Sequence, residues 1–201
     1  MKKHQIEQRS PEWFQIRKGK ITGTVLKGIM GTPYAKQEMF YELIAQRLIV
    51  GLVNDEENPM ERGIRLEDEA IAKFEFETGL KVEKVGFAES DNPVIANSPD
   101  GLIGDTEAIE VKCMGGKNHI KLWFENEIPK EYNWQVIQYF IVNPKLEKMY
   151  FVGYNPDIPV HPIHIIEVKR NEVEDKIKLA ETAQEEFIKV VNEKLREIIK
   201  L

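Results

Sequence analysis

The sequence has little of several features that mark common classes of protein. It contains a single cysteine among 201 residues. A disulfide framework and a cysteine-ligated zinc or iron–sulfur site each need several thiolates, or thiolates together with imidazoles, so both are excluded. No window approaches the roughly 20 apolar residues of a membrane span, and the amino terminus runs into polar residues rather than an apolar signal region. We therefore expect a soluble, cytoplasmic protein with no membrane partner.

An excess of positive charge is also missing. The sequence has 28 Lys and Arg residues against 34 Asp and Glu residues, which gives a formal net charge of −6. This balance argues against a protein that coats nucleic acid through a broad basic surface. It does not exclude a metal-dependent enzyme, because such an enzyme binds a polyanion through a limited basic track and a cation.

The chain length and composition predict a single domain over residues 1–201. An apolar content of 42% is enough for one sizeable core. Helical spacing or start signals predict helices over 10–17, from Thr22 or Thr24, and over 36–50, 61–78, 120–125, 132–142 and 171–200. Short β-branched segments predict strands over 149–154 and 163–168, and a meander over 81–88, 94–97, 101–103 and 108–113, with a loop over 51–59. The expected fold is an α/β or α+β domain with one mixed sheet flanked by helices.

One segment of this predicted sheet carries a chemically informative pattern. Asp100 and Glu110 lie ten positions apart across a probable hairpin, so two adjacent strands can bring their carboxylates together. Glu110 and Lys112 are two positions apart on one strand, and the strand period of two aims both at the same face. Adjacent carboxylates repel unless a cation lies between them, and oxygen ligands suit Mg²⁺ or Mn²⁺. The pattern indicates metal-assisted phosphodiester chemistry, with the ammonium orienting a water nucleophile.

The same residues have a simpler interpretation. An Asp-Gly turn and an alternating Glu-Val-Lys strand are common on solvated sheets, where they form structural ion pairs. Spacing alone therefore leaves both the catalytic and the structural interpretation open.

Four motifs resolve this ambiguity by resemblance to a known family. Ser98-Pro99-Asp100-Gly101 with Glu110-Val111-Lys112-Cys113 resembles the core motif of the PD-(D/E)XK nuclease superfamily. Three flanking motifs resemble those of the lambda exonuclease or YqaJ-type viral recombinase family. The first runs from Trp13 to Thr22 and contains Arg17, and the second begins at Arg62-Gly63, contains Glu67 and ends at Gly79. The third is Tyr132-Asn133-Trp134-Gln135-Val136. They follow the family's order across most of the chain.

The sequence departs from the family pattern at a few positions. Met114 follows Lys112-Cys113 where the family often has proline, and Ile137 stands where the family has a second glutamine. Gly23 and Thr24 stand at the small-residue and serine positions after the Ile-Thr pair. None of these departures removes an expected metal ligand.

The resemblance implies a restriction-endonuclease-like core and a role for each site residue. The expected metal ligands are Asp100, Glu110, the backbone carbonyl of Val111, and Glu67. For Glu67 the alternative is that its acidic run forms a solvent-exposed helix face. The expected catalytic residues are Asp100, Glu110, Lys112 and Gln135, whose amide contacts the nucleophilic water or a phosphate, or else caps a loop. Arg17 is expected to bind a terminal phosphate through its fork of donors, or else to form a surface ion pair. Thr24 and Ser98 are its expected hydroxyl partners.

The resemblance also implies an activity and partners. It implies a Mg²⁺-dependent exonuclease, also supported by Mn²⁺, that degrades double-stranded DNA from its 5′ ends and leaves 3′ overhangs for recombination. It further implies a homotrimer in a bacterial or phage-infected host cell, with a single-strand annealing protein as a possible partner. A structure-specific or restriction-like endonuclease and a non-catalytic recombination scaffold remain the alternatives.

Overall fold

The computed structural model describes residues 1–48 and 61–199, which form seven helices and seven strands. The helices are α1 Pro11–Arg17, α2 Gly23–Ile29, α3 Pro33–Leu48, α4 Glu61–Thr78, α5 Gly116–Glu125, α6 Asn133–Val142 and α7 Arg170–Ile199. The strands are β1 Lys2–His4, β2 Phe87–Glu89, β3 Ala96–Asn97, β4 Gly101–Ile103, β5 Glu107–Cys113, β6 Lys148–Tyr154 and β7 Ile163–Lys169. Among these residues, no helix is both long enough and apolar enough to cross a membrane.

The central sheet has four strands in the order β4-β5-β6-β7. Strands β4 and β5 are antiparallel, β5 and β6 are parallel, and β6 and β7 are antiparallel, so the sheet is mixed as predicted. A parallel pair needs a crossover connection, and α5 and α6 lie in the segment that connects β5 to β6. A smaller antiparallel sheet consists of β1, β2 and β3, and β3 ends at Asn97, directly before the Ser98–Gly101 motif.

Helices cover both faces of the central sheet. Alternate residues of β5 and β6, including Ala108 and Phe151, join a core built with α2, α6 and α7. The intervening residues, including Ile109 and Val152, join a second core with Leu66 and Phe74 of α4. The strand period of two thus divides β5 between two cores, and Glu110 and Lys112 lie on the α6 side.

Local signals set the ends of α1 and α4 where they were predicted. The Ser10 hydroxyl accepts a hydrogen bond from the Trp13 amide at 3.2 Å, and Pro11 occupies the first turn, where its missing N–H costs nothing. Gly79 has φ +71° and its amide bonds to the Glu75 carbonyl at 2.9 Å. Glycine adopts this left-handed conformation without the steric cost that a side chain brings.

Several strand predictions were wrong. The predicted meander is divided between two sheets, and its first segment forms only Phe87–Glu89 and an isolated bridge at Glu83. Strand β1 was missed, because its partner β2 lies more than 80 residues away in sequence. The predicted loop over 51–59 lies outside the described residues.

Candidate active site

The antiparallel pairing of β4 with β5 brings the two predicted acids together. Gly101 pairs with Ile109, so the preceding Asp100 lies next to Glu110. Asp100 Oδ2 accepts a hydrogen bond from the Val111 amide at 2.7 Å, which fixes the carboxylate against β5. The predicted hairpin geometry is therefore present.

Glu110 and Lys112 form an ion pair on the same face of β5, as the strand period predicted. The side chain of Glu110 is 6% exposed and that of Lys112 is 23% exposed. Burial alone lowers the pKa of Lys112, but Glu110 and Asp100 outweigh it and raise this pKa above its ordinary value. The carboxylates of Glu110 and Asp100 therefore stabilise the protonated, positively charged form of Lys112.

Tyr139 of α6 connects the two acids. Its hydroxyl donates to Glu110 Oε2 at 2.5 Å and accepts from the Asp100 amide at 3.2 Å. Burial, and then the charges of Glu110 and Asp100, raise the pKa of Tyr139 well above its ordinary value, so the phenol remains a donor. The carboxylate of Glu110 is consequently held between Lys112 on one oxygen and Tyr139 on the other.

Glu67 approaches this pair from α4, on the other side of the sheet. Its side chain is 20% exposed, and Arg9 Nη2 lies 3.6 Å from Glu67 Oε2. Burial raises the pKa of Glu67, with Asp68 and Glu110 adding to the rise and Arg9 opposing it. The pKa of Asp100 is raised well above its ordinary value by burial first and then by Glu110. Glu110 thus raises the pKa of both Glu67 and Asp100, as expected for carboxyls that share one region of the fold.

The donor set suits a hard divalent cation. Carboxylate oxygens of Asp100 and Glu110 and the carbonyl of Val111 are the ligand types that Mg²⁺ accepts, with water completing its shell. Within the described residues, no three His, Cys, Asp or Glu side chains lie close enough to form a metal site on their own. The two adjacent acids nevertheless fit Mg²⁺, because this ion is commonly held by one or two carboxylates and keeps several waters.

The predicted phosphate-binding residues also meet. Arg17 Nη1 donates to the Ser98 hydroxyl at 2.5 Å, and its guanidinium lies 4.2 Å from the centre of the Trp13 ring. Trp13 in turn donates from Nε1 to the Gly86 carbonyl at 3.0 Å, so it is half-buried scaffold rather than an exposed platform. The stacked ring and the hydroxyl hold the guanidinium in one orientation at the end of α1.

A cavity of about 60 Å³ joins these residues to the acid pair. It is lined by Arg17, Thr22, Gly23, Thr24, Asn97, Ser98, Glu110, Gln135 and Tyr139. This set includes the predicted Arg17, Thr24, Ser98, Glu110 and Gln135. Gly23 allows a close approach of α2 to α6, since a Cβ at this position would lie 3.1 Å from Gln135 Cα and require a shift of a few tenths of an ångström. The cavity is thus bounded by a guanidinium, hydroxyls and amides, with one metal-site carboxylate in its wall.

Sequence reasoning missed four residues of the site. Tyr139 lies four positions after Gln135, and this spacing places both on one face of α6, so the helical period could have identified it. Asn97, whose buried Oδ1 has no hydrogen-bond partner among the described residues, directly precedes Ser98. Tyr132, whose ring centre lies 5.2 Å from Lys112 Nζ, opens the recognised motif that contains Gln135 but was given no role, and Arg9 carries no sequence signal of its own.

Comparison with protein families matches residues 12–145 to the YqaJ-like viral recombinase domain. The chain belongs to this family. The match spans α1 to the end of α6 and so includes the acid pair, Lys112 and the cavity residues. No curated protein matches the sequence closely enough to count as a relative.

Solved structures with the same fold include two exonucleases. The alkaline exonuclease of Laribacter hongkongensis is 27% identical with a TM-score of 0.83, over 95% of this chain and 97% of that one. Its complex with dAMP gives 28% identity and a TM-score of 0.85 over the same shares. A phage-related exonuclease of Haemophilus somnus 129PT shares the fold at 18% identity and a TM-score of 0.58, covering 87% of this chain and 96% of that one.

The departures of this YqaJ-like domain from its family pattern have structural explanations. The Met114 amide donates to the Tyr154 carbonyl at 2.9 Å, a bond that proline cannot make. Ile137 is buried in the core and does not face the cavity. Cys113, the residue before Met114, is half-buried beside Lys112 at the edge of a cleft.

Proposed function

We propose that this YqaJ-like domain is a Mg²⁺-dependent exonuclease that degrades double-stranded DNA from its 5′ ends and leaves 3′ single strands for recombination. Family membership and the two matches to an alkaline exonuclease support the coarser statement that it is a DNA exonuclease. The observation that carries the finer proposal is the cavity of Arg17, Thr24, Ser98 and Gln135, because it opens directly beside the acid pair through Glu110. A terminal phosphate held there places the next phosphodiester near Asp100 and Lys112.

The cation site of the proposal consists of Asp100, Glu110 and the Val111 carbonyl, with Glu67 toward a second ion. When bound, Mg²⁺ or Mn²⁺ supplies Lewis-acid polarisation of the scissile phosphate and lowers the pKa of the water nucleophile. Ca²⁺ tolerates the same oxygen ligands with looser coordination, so it supports binding of DNA with little hydrolysis.

The residues of the chain have separable tasks. Lys112 keeps its charge and offsets the negative charge that develops on the phosphorane, while its N–H groups orient the attacking water. Tyr139 and Lys112 fix the two oxygens of Glu110, so the carboxylate does not reorganise during the reaction. Gln135 offers an amide to the water or to the phosphate in the cavity.

The reaction hydrolyses one phosphodiester in each cycle. Water adds to phosphorus, the bond from phosphorus to the 3′ oxygen of the terminal nucleotide breaks, and that oxygen receives a proton. A nucleoside 5′-monophosphate leaves, and the shortened strand carries a new 5′ phosphate. The binding of dAMP by the Laribacter hongkongensis enzyme supports a product of this class.

Substitution of the three central residues tests the proposal. Asp100→Asn, Glu110→Gln and Lys112→Ala should each lower the rate of DNA hydrolysis by more than about a hundredfold while the protein stays folded, because each removes a preorganised charge. Glu107→Gln is the matched control, since Glu107 lies on the same strand but bonds to Tyr150 on the opposite face. Normal turnover in any of the first three variants would remove that residue from the catalytic set.

A further inference from the structure

Arg9 has an unusual backbone conformation for its residue type. Its φ is +67°, in the left-handed region, and the only other such residue among the described non-glycine positions is Asn126. A residue with a Cβ adopts this conformation at a steric cost that glycine does not bear. Strain of this kind persists only where the surrounding structure imposes it, and it often accompanies a functional side chain.

The neighbours of Arg9 impose its conformation from both sides. Gln8 Nε2 donates to the Pro99 carbonyl at 2.9 Å, which ties this segment to the turn that carries Asp100. On the other side, Ser10 caps α1 through the Trp13 amide. With both flanks fixed, the chain turns at Arg9, and the side chain reaches Glu67 of α4 at 3.6 Å.

The ion pair occupies the edge of the acidic cluster. The side chains of Arg9 and Glu67 are 32% and 20% exposed, so solvent screens their interaction only in part. Among the neighbouring charges, Arg9 lowers the pKa of Glu67 most, ahead of Lys84, and it partly offsets the rise that burial causes. Lys84 is itself paired with Asp68 at the surface. Lys112, the other cation of the cluster, is paired with Glu110.

The charges of the cluster define a competition. Each cation of the cluster is paired with one acid, Arg9 with Glu67 and Lys112 with Glu110. Loss of Arg9 would leave Glu67 without this counter-ion. A divalent cation bound toward Glu67 would be attracted by the same carboxylate as the Arg9 guanidinium and repelled by that guanidinium.

We propose that Arg9 is the internal counter-ion of Glu67: it stabilises the acidic cluster before a divalent cation binds, and it weakens the binding of that cation. This inference rests on the proposed function only in placing a cation beside Asp100 and Glu110 and directing Glu67 toward a second ion. Arg9 acts through Glu67 and is therefore a positioning residue.

Direct binding of Mn²⁺ to the whole protein, measured by electron paramagnetic resonance of the free ion, tests the proposal without an activity assay. Arg9→Gln and Arg9→Gly should each bind Mn²⁺ more tightly than the unsubstituted protein, on the order of tenfold, because a nearby positive charge is gone. Arg9→Lys keeps the charge and should stay within about twofold. Lys73→Gln removes a charge of similar exposure, paired with Glu77 on α4, and should also stay within about twofold.

Thermal unfolding supplies a second readout. In chelator, Arg9→Gln should unfold at a lower temperature than the unsubstituted protein, and saturating Mn²⁺ should reduce that difference. Arg9→Gly removes the left-handed strain together with the charge, so it should unfold above Arg9→Gln in chelator while binding Mn²⁺ equally well. Equal Mn²⁺ affinity in the unsubstituted protein and Arg9→Gln, or weaker affinity in the variant, would overturn the proposal.

Two further variants separate this inference from the proposed function. In a Glu67→Gln background, Arg9→Gln should change Mn²⁺ affinity much less than it does alone, because the partner is gone. An undiminished effect would overturn the role of Glu67. Asp100→Asn should abolish Mn²⁺ binding, and binding that survives it would refute the cation site itself, whatever Arg9 does.

Discussion

Tyr139 links the carboxylate of Glu110 to the backbone at Asp100. Its hydroxyl donates to Glu110 and accepts from the Asp100 amide, while its ring, 4% exposed, packs into the larger core. A residue of α6 therefore holds the Glu110 carboxylate of β5 beside the backbone of Asp100, the residue that precedes β4.

Tyr139→Phe keeps the ring and removes the hydroxyl. The loss leaves one oxygen of buried Glu110 without its donor, at a cost of about 1–3 kcal/mol, and we expect kcat to fall about tenfold or more with little change in KM for DNA. Tyr150→Phe is the matched control, since Tyr150 is equally buried but bonds to Glu107 and Lys148 away from the site. Steady-state kinetics would contradict this role if both variants lost activity equally.

Arg17 is predicted to act on the end of the DNA rather than on the cation. Arg17→Ala should slow digestion of 5′-phosphorylated duplex and largely erase its preference over 5′-hydroxyl duplex, because the guanidinium fork binds phosphate oxygens. Both substrates are compared at one fixed salt concentration, since phosphate contacts are salt-sensitive. Lys27→Ala, at an exposed position near the end of α2, is the control and should keep the preference. An unchanged preference in Arg17→Ala would contradict phosphate binding and favour the alternative interpretation of Arg17 as part of a surface ion pair.

Among the helices and strands, the sequence predicts features that depend on local signals, but it does not predict which distant strands pair. The cap at Ser10 and the glycine at Gly79 act within one turn of their helices, so α1 and α4 were predicted with their correct ends. The meander failed because strand segments of similar composition choose partners through the whole fold. The composition of β5, for example, cannot show that this strand also pairs with β6, in parallel and across a helical crossover.

The candidate site shows the same division. Asp100, Glu110 and Lys112 follow from hairpin spacing and strand period, both local quantities. Arg17 and Glu67 required family resemblance, because α1 and α4 reach the site only through tertiary packing. Arg9 could not be predicted from the sequence, since its role depends on its distance to Glu67, which lies far away in the chain. The motif of Tyr132 was recognised, but its position beside Lys112 also follows from tertiary packing.

The pairing of the small sheet depends on a close approach at Gly86. A Cβ at this position would lie 1.8 Å from the Ile6 carbonyl oxygen, a backbone atom that cannot rotate away. Gly86→Ala should therefore displace the amino-terminal segment and lower the free energy of unfolding by about 1–3 kcal/mol.

Denaturant unfolding measures this effect, and α5 offers a matched control. Gly116→Ala places its Cβ no closer than 4.0 Å to any side chain, so it should be neutral or slightly stabilising. A Gly86→Ala variant as stable as the Gly116→Ala variant would show that the approach of Ile6 does not constrain the fold.

At the scale of the whole molecule, an acidic enzyme must retain a polyanion through many cycles. A monomer with a net charge of −6 has few means to do so, whereas a closed ring with its basic side chains turned inward confines the strand topologically. We predict a homotrimer, closed by heterologous contacts. Light scattering at micromolar concentration should give a mass of about three times 23.3 kDa. A mass of one subunit, together with immediate trapping by competitor DNA, would refute the ring and leave the active site unaffected.

The central claim, a metal-dependent activity that starts at DNA ends, is tested most directly by comparing two forms of one duplex. Linear, 5′-phosphorylated DNA and the same DNA as a covalently closed circle are incubated with Mg²⁺ or with chelator, and acid-soluble nucleotides and nicks are measured. We expect release of nucleoside 5′-monophosphates from the linear form with Mg²⁺ alone, and an intact circle throughout. Nicking of the circle at a comparable rate would indicate an endonuclease, and no release from the linear form would indicate a non-catalytic scaffold; either result would contradict the account.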